Sequence, residues 1–144
     1  MTLRHKSREF ALQMLFEWDM TRKKPAQVKQ QFWKSARAAA STREFADHLF
    51  EGAVVEADVA DKLVSNLSEN WRFERLAAVD RNILRLAVFE LRFGTAPVRV
   101  VIDEALELAK KFSSEGSPAF LNGILDAANK SLEGKKEKGA STGA

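Results

Sequence analysis

Residues 79–93, VDRNILRLAVFELRF, limit what this chain can fold into more than any other stretch. At 3.6 residues per turn, Val79, Ile83, Leu84, Leu86, Ala87, Val88 and Leu91 cover more than half of a helix circumference. Arg81, Arg85 and Arg92 fall together on one stripe. A helix apolar over so wide an arc must be packed on several sides, with only a narrow polar edge left to water. Gly94 is placed to end it with a left-handed cap, and Pro97 bars continuation. The other helices are expected to wrap around this one.

At 144 residues the chain is long enough for one domain with a real core. A first helix is expected over residues 3–20, with Leu3, Phe10, Ala11, Met14, Leu15 and Trp18 inward; Leu12 and Phe16 fall on the other side, flanked by His5, Arg8 and Glu9. Pro25 suits the first position of a second helix, about residues 25–39, with Val28, Phe32 and Ala36 inward. Ser41 and Glu44 form a capping box, S-x-x-E, opening one long helix to about residue 66, with Phe45, Leu49, Ala53, Val59, Leu63 and Leu67 on one face. Gly52 within it implies a close neighbour. Residues 68–75 read as a connector whose Trp71 and Phe73 plug the core.

After the central helix, residues 99–112 place Val101, Ile102, Ala105, Leu108, Ala109 and Phe112 inward, with acids early and lysines late, as the helix dipole favours. Ser117-Pro118 is an N-cap followed by a first-turn proline, opening a last helix to about residue 132. Gly123 in it again implies a tight neighbour. From Glu133 onward the chain has no apolar side chain beyond Ala and is expected to be disordered. The fold class is all-α, a single bundle of about six to seven helices, with a helical domain over 1–132 and a tail over 133–144.

Charge and composition narrow the function. There is no Cys, hence no disulfide framework and no thiolate metal site. No run is long and apolar enough to span a membrane, and the N-terminus lacks signal-peptide character; a cytoplasmic protein is expected. Residues 1–24 carry six Lys/Arg against three Asp/Glu, the remainder seventeen of each. The positive excess therefore lies toward the N-terminus, where Arg4, His5, Lys6 and Arg8 form a basic arm suited to an anionic partner such as nucleic acid; a solvated helix start explains the same cluster. Phe16, displaced from the apolar stripe beside those charges, is a candidate base-stacking platform, or else packs on a neighbouring helix or partner protein.

Catalytic signals are few. His48 has no second histidine near it in sequence, and no paired-ligand spacing is present. Asp103 and Glu107 fit a solvated helix face. No phosphate-cradling glycine loop occurs. Neither an enzyme nor a cofactor is expected.

Three blocks together are distinctive: RHKSREFALQMLFEWD, VDRNILRLAVFELRF, and VIDEALELAKKFSSEGSPAFLNGILD. In content, order and spacing they resemble the NusB family of bacterial transcription antitermination factors, over about residues 4–130. The resemblance implies two packed helical subdomains and binding to single-stranded boxA RNA. It implies a partnership with the small-subunit ribosomal protein NusE, in a complex that helps RNA polymerase read through terminators. Family members occur as monomers and homodimers. Arg4, His5, Lys6 and Arg8 match the family's arginine-rich motif, with His5 and Lys6 where arginines are common. Phe16 stands where the family usually has a tyrosine near the RNA. Phe120 and Asn122 match F-x-N-G, which borders the RNA surface. Asp80 matches an acidic position on the side that meets the ribosomal protein. On this reading the cations neutralise phosphates, Phe16 and Phe120 stack on bases, and Glu9, Gln13 or Asn122 read base edges. The alternative is a helical protein-interaction module without RNA binding of its own.

Overall fold

The computed structural model describes the backbone of residues 3–67 and 76–142, and the side chains of residues 4–67 and 76–134. The described residues form seven helices and no strand: α1 (Leu3–Thr21), α2 (Pro25–Ser35), α3 (Ala40–Val55), α4 (Ala57–Leu67), α5 (Ala78–Phe93), α6 (Val98–Phe112) and α7 (Ser117–Thr142). The expected connector with Trp71 and Phe73 lies outside the described residues.

Helix α5 is the centre that its apolar arc demanded. It packs against α1, α3, α4, α6 and α7. Every residue from Asn82 to Glu90 is buried. One group of helices is α1–α3 and the other α4–α7, and α5 joins them. Its own Ile83, Leu84 and Leu86 are fully buried, as are Leu15, Leu49, Phe50, Ile102, Leu108, Leu121 and Leu125 of the helices around it. Each such side chain contributes about 1.5–3 kcal/mol by leaving water.

The arginine stripe of α5, expected as the polar edge, is only partly exposed, and each member is paired. Arg81 donates to Asp19 Oδ2 on α1 through Nε at 2.9 Å and Nη2 at 2.6 Å. Arg85 is buried and grips Asp61 on α4 with two hydrogen bonds of 2.8 Å. Arg92 pairs with Glu56. The stripe thus ties α5 to α1, to α4 and to the α3–α4 junction. Burial raises the Asp19 carboxyl, but the Arg81 hydrogen bond, the Arg85 charge and the Asn82 bond outweigh it and hold it below its usual range.

The single long helix expected over 41–66 is two. Glu56 breaks it, at φ −93° and ψ 6°. Up to that point α3 packs on α1 and α5; beyond it α4 packs on α5 and α7. The break shifts the inward register to Ala57, Ala60 and Val64 and leaves Val55 and Val59 exposed. Nor does the Ser41–Glu44 box cap α3: the helix starts at Ala40 after Ala39, with no side-chain cap. Gly94 is extended, at φ −79°, rather than left-handed, and a Cβ there would lie 2.7 Å from the Glu90 carbonyl oxygen.

The two glycines expected to mark close neighbours, Gly52 and Gly123, part ways. At Gly52 a Cβ would overlap the Phe89 ring, the close neighbour its presence implied. Gly123 faces open space, so no tight neighbour accounts for it. The backbone of α7 continues in helix to Thr142, past the end expected near residue 132.

Candidate nucleic-acid interface

The N-terminal basic cluster is not a mobile arm. It is the first two turns of α1, laid across α5 and α6. Arg8 is buried and forms a two-pronged bond to Glu90 on α5, Nε to Oε2 and Nη2 to Oε1, both 2.8 Å. Burial alone would discourage its charge, but the Glu90 hydrogen bond and the charges of Glu90 and Glu104 outweigh it and hold it firmly cationic. His5 is wedged between two acids: Nδ1 lies 2.5 Å from Glu104 Oε2 on α6, and Nε2 lies 3.2 Å from Glu9 Oε1. The four groups expected to face phosphates thus divide into two pairs. Arg8 and His5 face inward, and Arg4 and Lys6 remain exposed.

Glu9 organises what is left. Expected as one of the groups that read base edges, it is buried. It accepts from Lys6 at 3.2 Å and from Lys111, at the end of α6, at 2.8 Å. Burial pushes its carboxyl up, but the bonds and charges of Lys111 and Lys6 outweigh this and keep it low. The two lysines are 53% and 54% exposed. One sunken carboxylate thus holds two solvent-facing cations side by side. In the sequence Lys111 stands out only as one of the late lysines that suit the helix dipole. Its partner is 102 residues away, and no local pattern signals that.

The other exposed positions of α1 continue outward from Lys6. Gln13, Phe16 and Met20 fall with Lys6 within about a quarter of the helix circumference. Phe16 is 40% exposed and Met20 60%. Leu12, expected beside Phe16, is instead buried in the core. Arg4 emerges on a different side, its guanidinium 4.4 Å above the Phe45 ring.

Asp80 is also turned inward. It accepts from Ser113 at 2.6 Å and from Ser117 at 3.0 Å, so both oxygens are engaged by the turn between α6 and α7. Ser117 is used there rather than as a free N-cap. Asp80, expected on the side that meets the ribosomal protein, is buried and bonded to both serines, which fixes the turn into α7. What it positions is the start of α7. Phe120 there is half-buried against the core, and Asn122 is half-buried with Oδ1 unpaired among the described residues. The short turn places them at the same end of the molecule as Lys111. Among the described residues no group of three His, Asp or Glu side chains is arranged to hold a metal ion, and no helix is long and apolar enough to cross a membrane.

Comparison with known proteins gives a consistent picture. The NusB family model matches residues 5–130. A transcription antitermination protein NusB of Koribacter versatilis is 44% identical over 137 residues, covering 94% of each chain. The solved structure of T. maritima NusB superimposes with a TM-score of 0.79 at 34% identity, covering 88% of this chain and 90% of that one. A crystal structure of antitermination factors NusB and NusE in complex with double-stranded RNA gives a TM-score of 0.80 at 28% identity, with 91% and 98% covered. With the family model spanning most of its length and these likenesses in both sequence and fold, the chain belongs to the NusB family.

Proposed function

We propose that this chain is a non-enzymatic, RNA-binding transcription antitermination factor working in the cytoplasm. It binds boxA-type single-stranded RNA on nascent ribosomal RNA together with the ribosomal protein NusE, and the complex helps RNA polymerase read through terminators. The relatives named for antitermination and the likeness to a NusB–NusE–RNA complex support this reading. The observation that carries it is the Glu9 carboxylate, which holds Lys6 and Lys111 as an outward-facing pair of cations.

Lys6, Lys111 and Arg4 meet phosphates. Three such contacts on a single strand give a slope of about 2 in log affinity against log salt, a modest and sequence-blind contribution. Selectivity then comes from unstacked bases. Phe16 and Phe120 each offer a face worth about 1–3 kcal/mol in stacking. Gln13 and Asn122 offer amides to base edges. Arg8, His5 and Asp80 act indirectly, by holding α1 and the start of α7 in place.

One observation favours a second reading for part of the surface. Met20, one turn beyond Phe16, is apolar, exposed and remote from the paired lysines, which suits a protein contact at that end of the stripe. Phe16→Ala separates the two. Weaker binding of RNA by the chain alone assigns Phe16 to stacking, and weaker capture of NusE without RNA assigns it to the protein interface. The function itself is tested by affinity for boxA-like and scrambled RNA, with and without NusE. The expected outcome is modest binding alone and tighter, sequence-selective binding with the partner. Equal affinity for both RNAs in the partner's presence contradicts it.

A further inference from the structure

We infer that the outer face of α2 and its flanking turns form a second RNA-backbone surface, which extends the strand's path beyond α1. This rests on the RNA-binding reading above and adds a site to it. From Met20 to Arg43 the chain has seven Lys/Arg and no acid, whereas the first nineteen residues carry three of each. Residues 44–144 hold thirteen cations against seventeen acids. The positive excess of the whole protein thus resides in the α2 region, not in the basic cluster at the start of α1.

The structure displays that charge. Lys23, Gln27, Gln30, Gln31 and Lys34 line one shallow depression and are all exposed. Lys24 and Arg37 are exposed at the two ends of the helix. Among the described residues Lys24, Lys34 and Arg37 have no ion pair, in contrast to Lys29, which pairs with Glu51. Every side chain lining the depression is a cation or an amide. That set neutralises phosphates and hydrogen-bonds sugars and bases without a carboxylate to repel them. No large apolar side chain is exposed between residues 21 and 43, so the face lacks the anchors of a protein-docking surface.

The face is also rigid and continuous with the first site. Val28 is fully buried beneath it. Phe32 and Trp33 pack edge-on against Phe10 of α1, at 5.7 and 5.4 Å between ring centres. Lys6 lies 5.0 Å from the centre of the Phe10 ring, and Arg43 lies 5.1 Å from that of Trp33. A line of cation, ring, ring and cation therefore joins the paired lysines to the α2–α3 corner.

The test uses the full chain with NusE, and two RNAs: a boxA-like core, and the same core extended at both ends with unpaired uridines. The variant is Lys23→Gln, Lys34→Gln and Arg37→Gln together. All three are solvated, so the melting temperature should stay within about 2 °C of wild type. The extended RNA should bind wild type more tightly than the core. The variant should bind the core as wild type does, lose the gain from extension, and show a salt slope lower by roughly 2 on the extended RNA, as three lost phosphate contacts imply. An unchanged slope and affinity on the extended RNA overturns the inference while leaving the RNA-binding reading intact. Failure of wild type to bind even the core overturns both. A variant that loses only NusE capture overturns it in favour of a protein surface.

Discussion

Two cationic regions of this molecule look alike in sequence and differ in space. The start of α1 holds Arg4, His5, Lys6 and Arg8; α2 and its flanks hold Arg22, Lys23, Lys24, Lys29, Lys34 and Arg37. In the first, Arg8 and His5 are sunk among Glu9, Glu90 and Glu104, and the visible cations stand on that buried scaffold. In the second, the apolar side of the helix is anchored by rings and the charges stay in water. In the first region Arg8 and His5 are part of the architecture while Arg4 and Lys6 are exposed; in the second Lys24, Lys34 and Arg37 have no ion pair among the described residues, whereas Lys29 pairs with Glu51 and Arg22 with Asp19. The number of basic residues in a segment does not distinguish the two. The acids that decide it come from distant helices.

The sharpest way to break this contrast is to remove the buried pair. Arg8→Ala leaves Glu90 charged and without its main partner, and should cost about 3–5 kcal/mol, read as a large drop in denaturation midpoint. Lys34→Ala, the same kind of change on α2, should stay within about 0.5 kcal/mol. Comparable losses in the two would erase the distinction. Arg8→Met with Glu90→Leu should recover much of the stability, since a well-packed apolar pair avoids the desolvation of both charges.

A second test is glycine-based and of middling size. Gly52→Ala drives a methyl into the Phe89 ring where α3 meets α5, and should destabilise by about 1–3 kcal/mol. Gly123→Ala meets nothing and should stabilise α7 by up to about 1 kcal/mol. Thermal melts of the two variants should move in opposite directions.

Acid gives a third. The Glu9 and Asp19 carboxyls are held below their usual range in the folded chain. A depressed carboxyl stabilises the fold fully above the unfolded-state pKa of about 4, and that stability is lost as pH falls through and below that value. The melting temperature should therefore hold from pH 7 to about 5 and decline below about 4. Glu9→Gln and Asp19→Asn should each start lower and flatten the decline. A decline of undiminished steepness in both variants would show that other carboxyls carry the acid response.

Much of the fold was legible. The width of the apolar arc on residues 79–93 placed α5 at the centre, and the stripes of α1, α6 and α7 named most of the core. The three quoted blocks resembled the NusB family, and the chain belongs to it. The illegible parts share a cause. Arg8–Glu90, His5–Glu104 and Glu9–Lys111 join residues 82, 99 and 102 apart, and periodicity reports only which side of a helix is apolar, not which charge from another helix will meet it. The same limit hid the hydrogen bonds of Asp80 and the ion pairs of the α5 arginines. The break at Glu56 escaped because the apolar rhythm runs through it without Pro; it reflects a change of packing partners. Gly123 was over-read, since a helical glycine marks a close neighbour only when one is there.

The most direct test of the account is the salt dependence of RNA affinity for the full chain with NusE, comparing wild type with Arg4→Gln, Lys6→Gln and Lys111→Gln combined, on the boxA-like core. The account predicts a slope lower by about 2, read at a temperature where the variant stays folded, and a lowered melting temperature, because the buried Glu9 carboxylate loses both lysine partners. An unchanged slope would contradict it, and would place the strand elsewhere on the bundle.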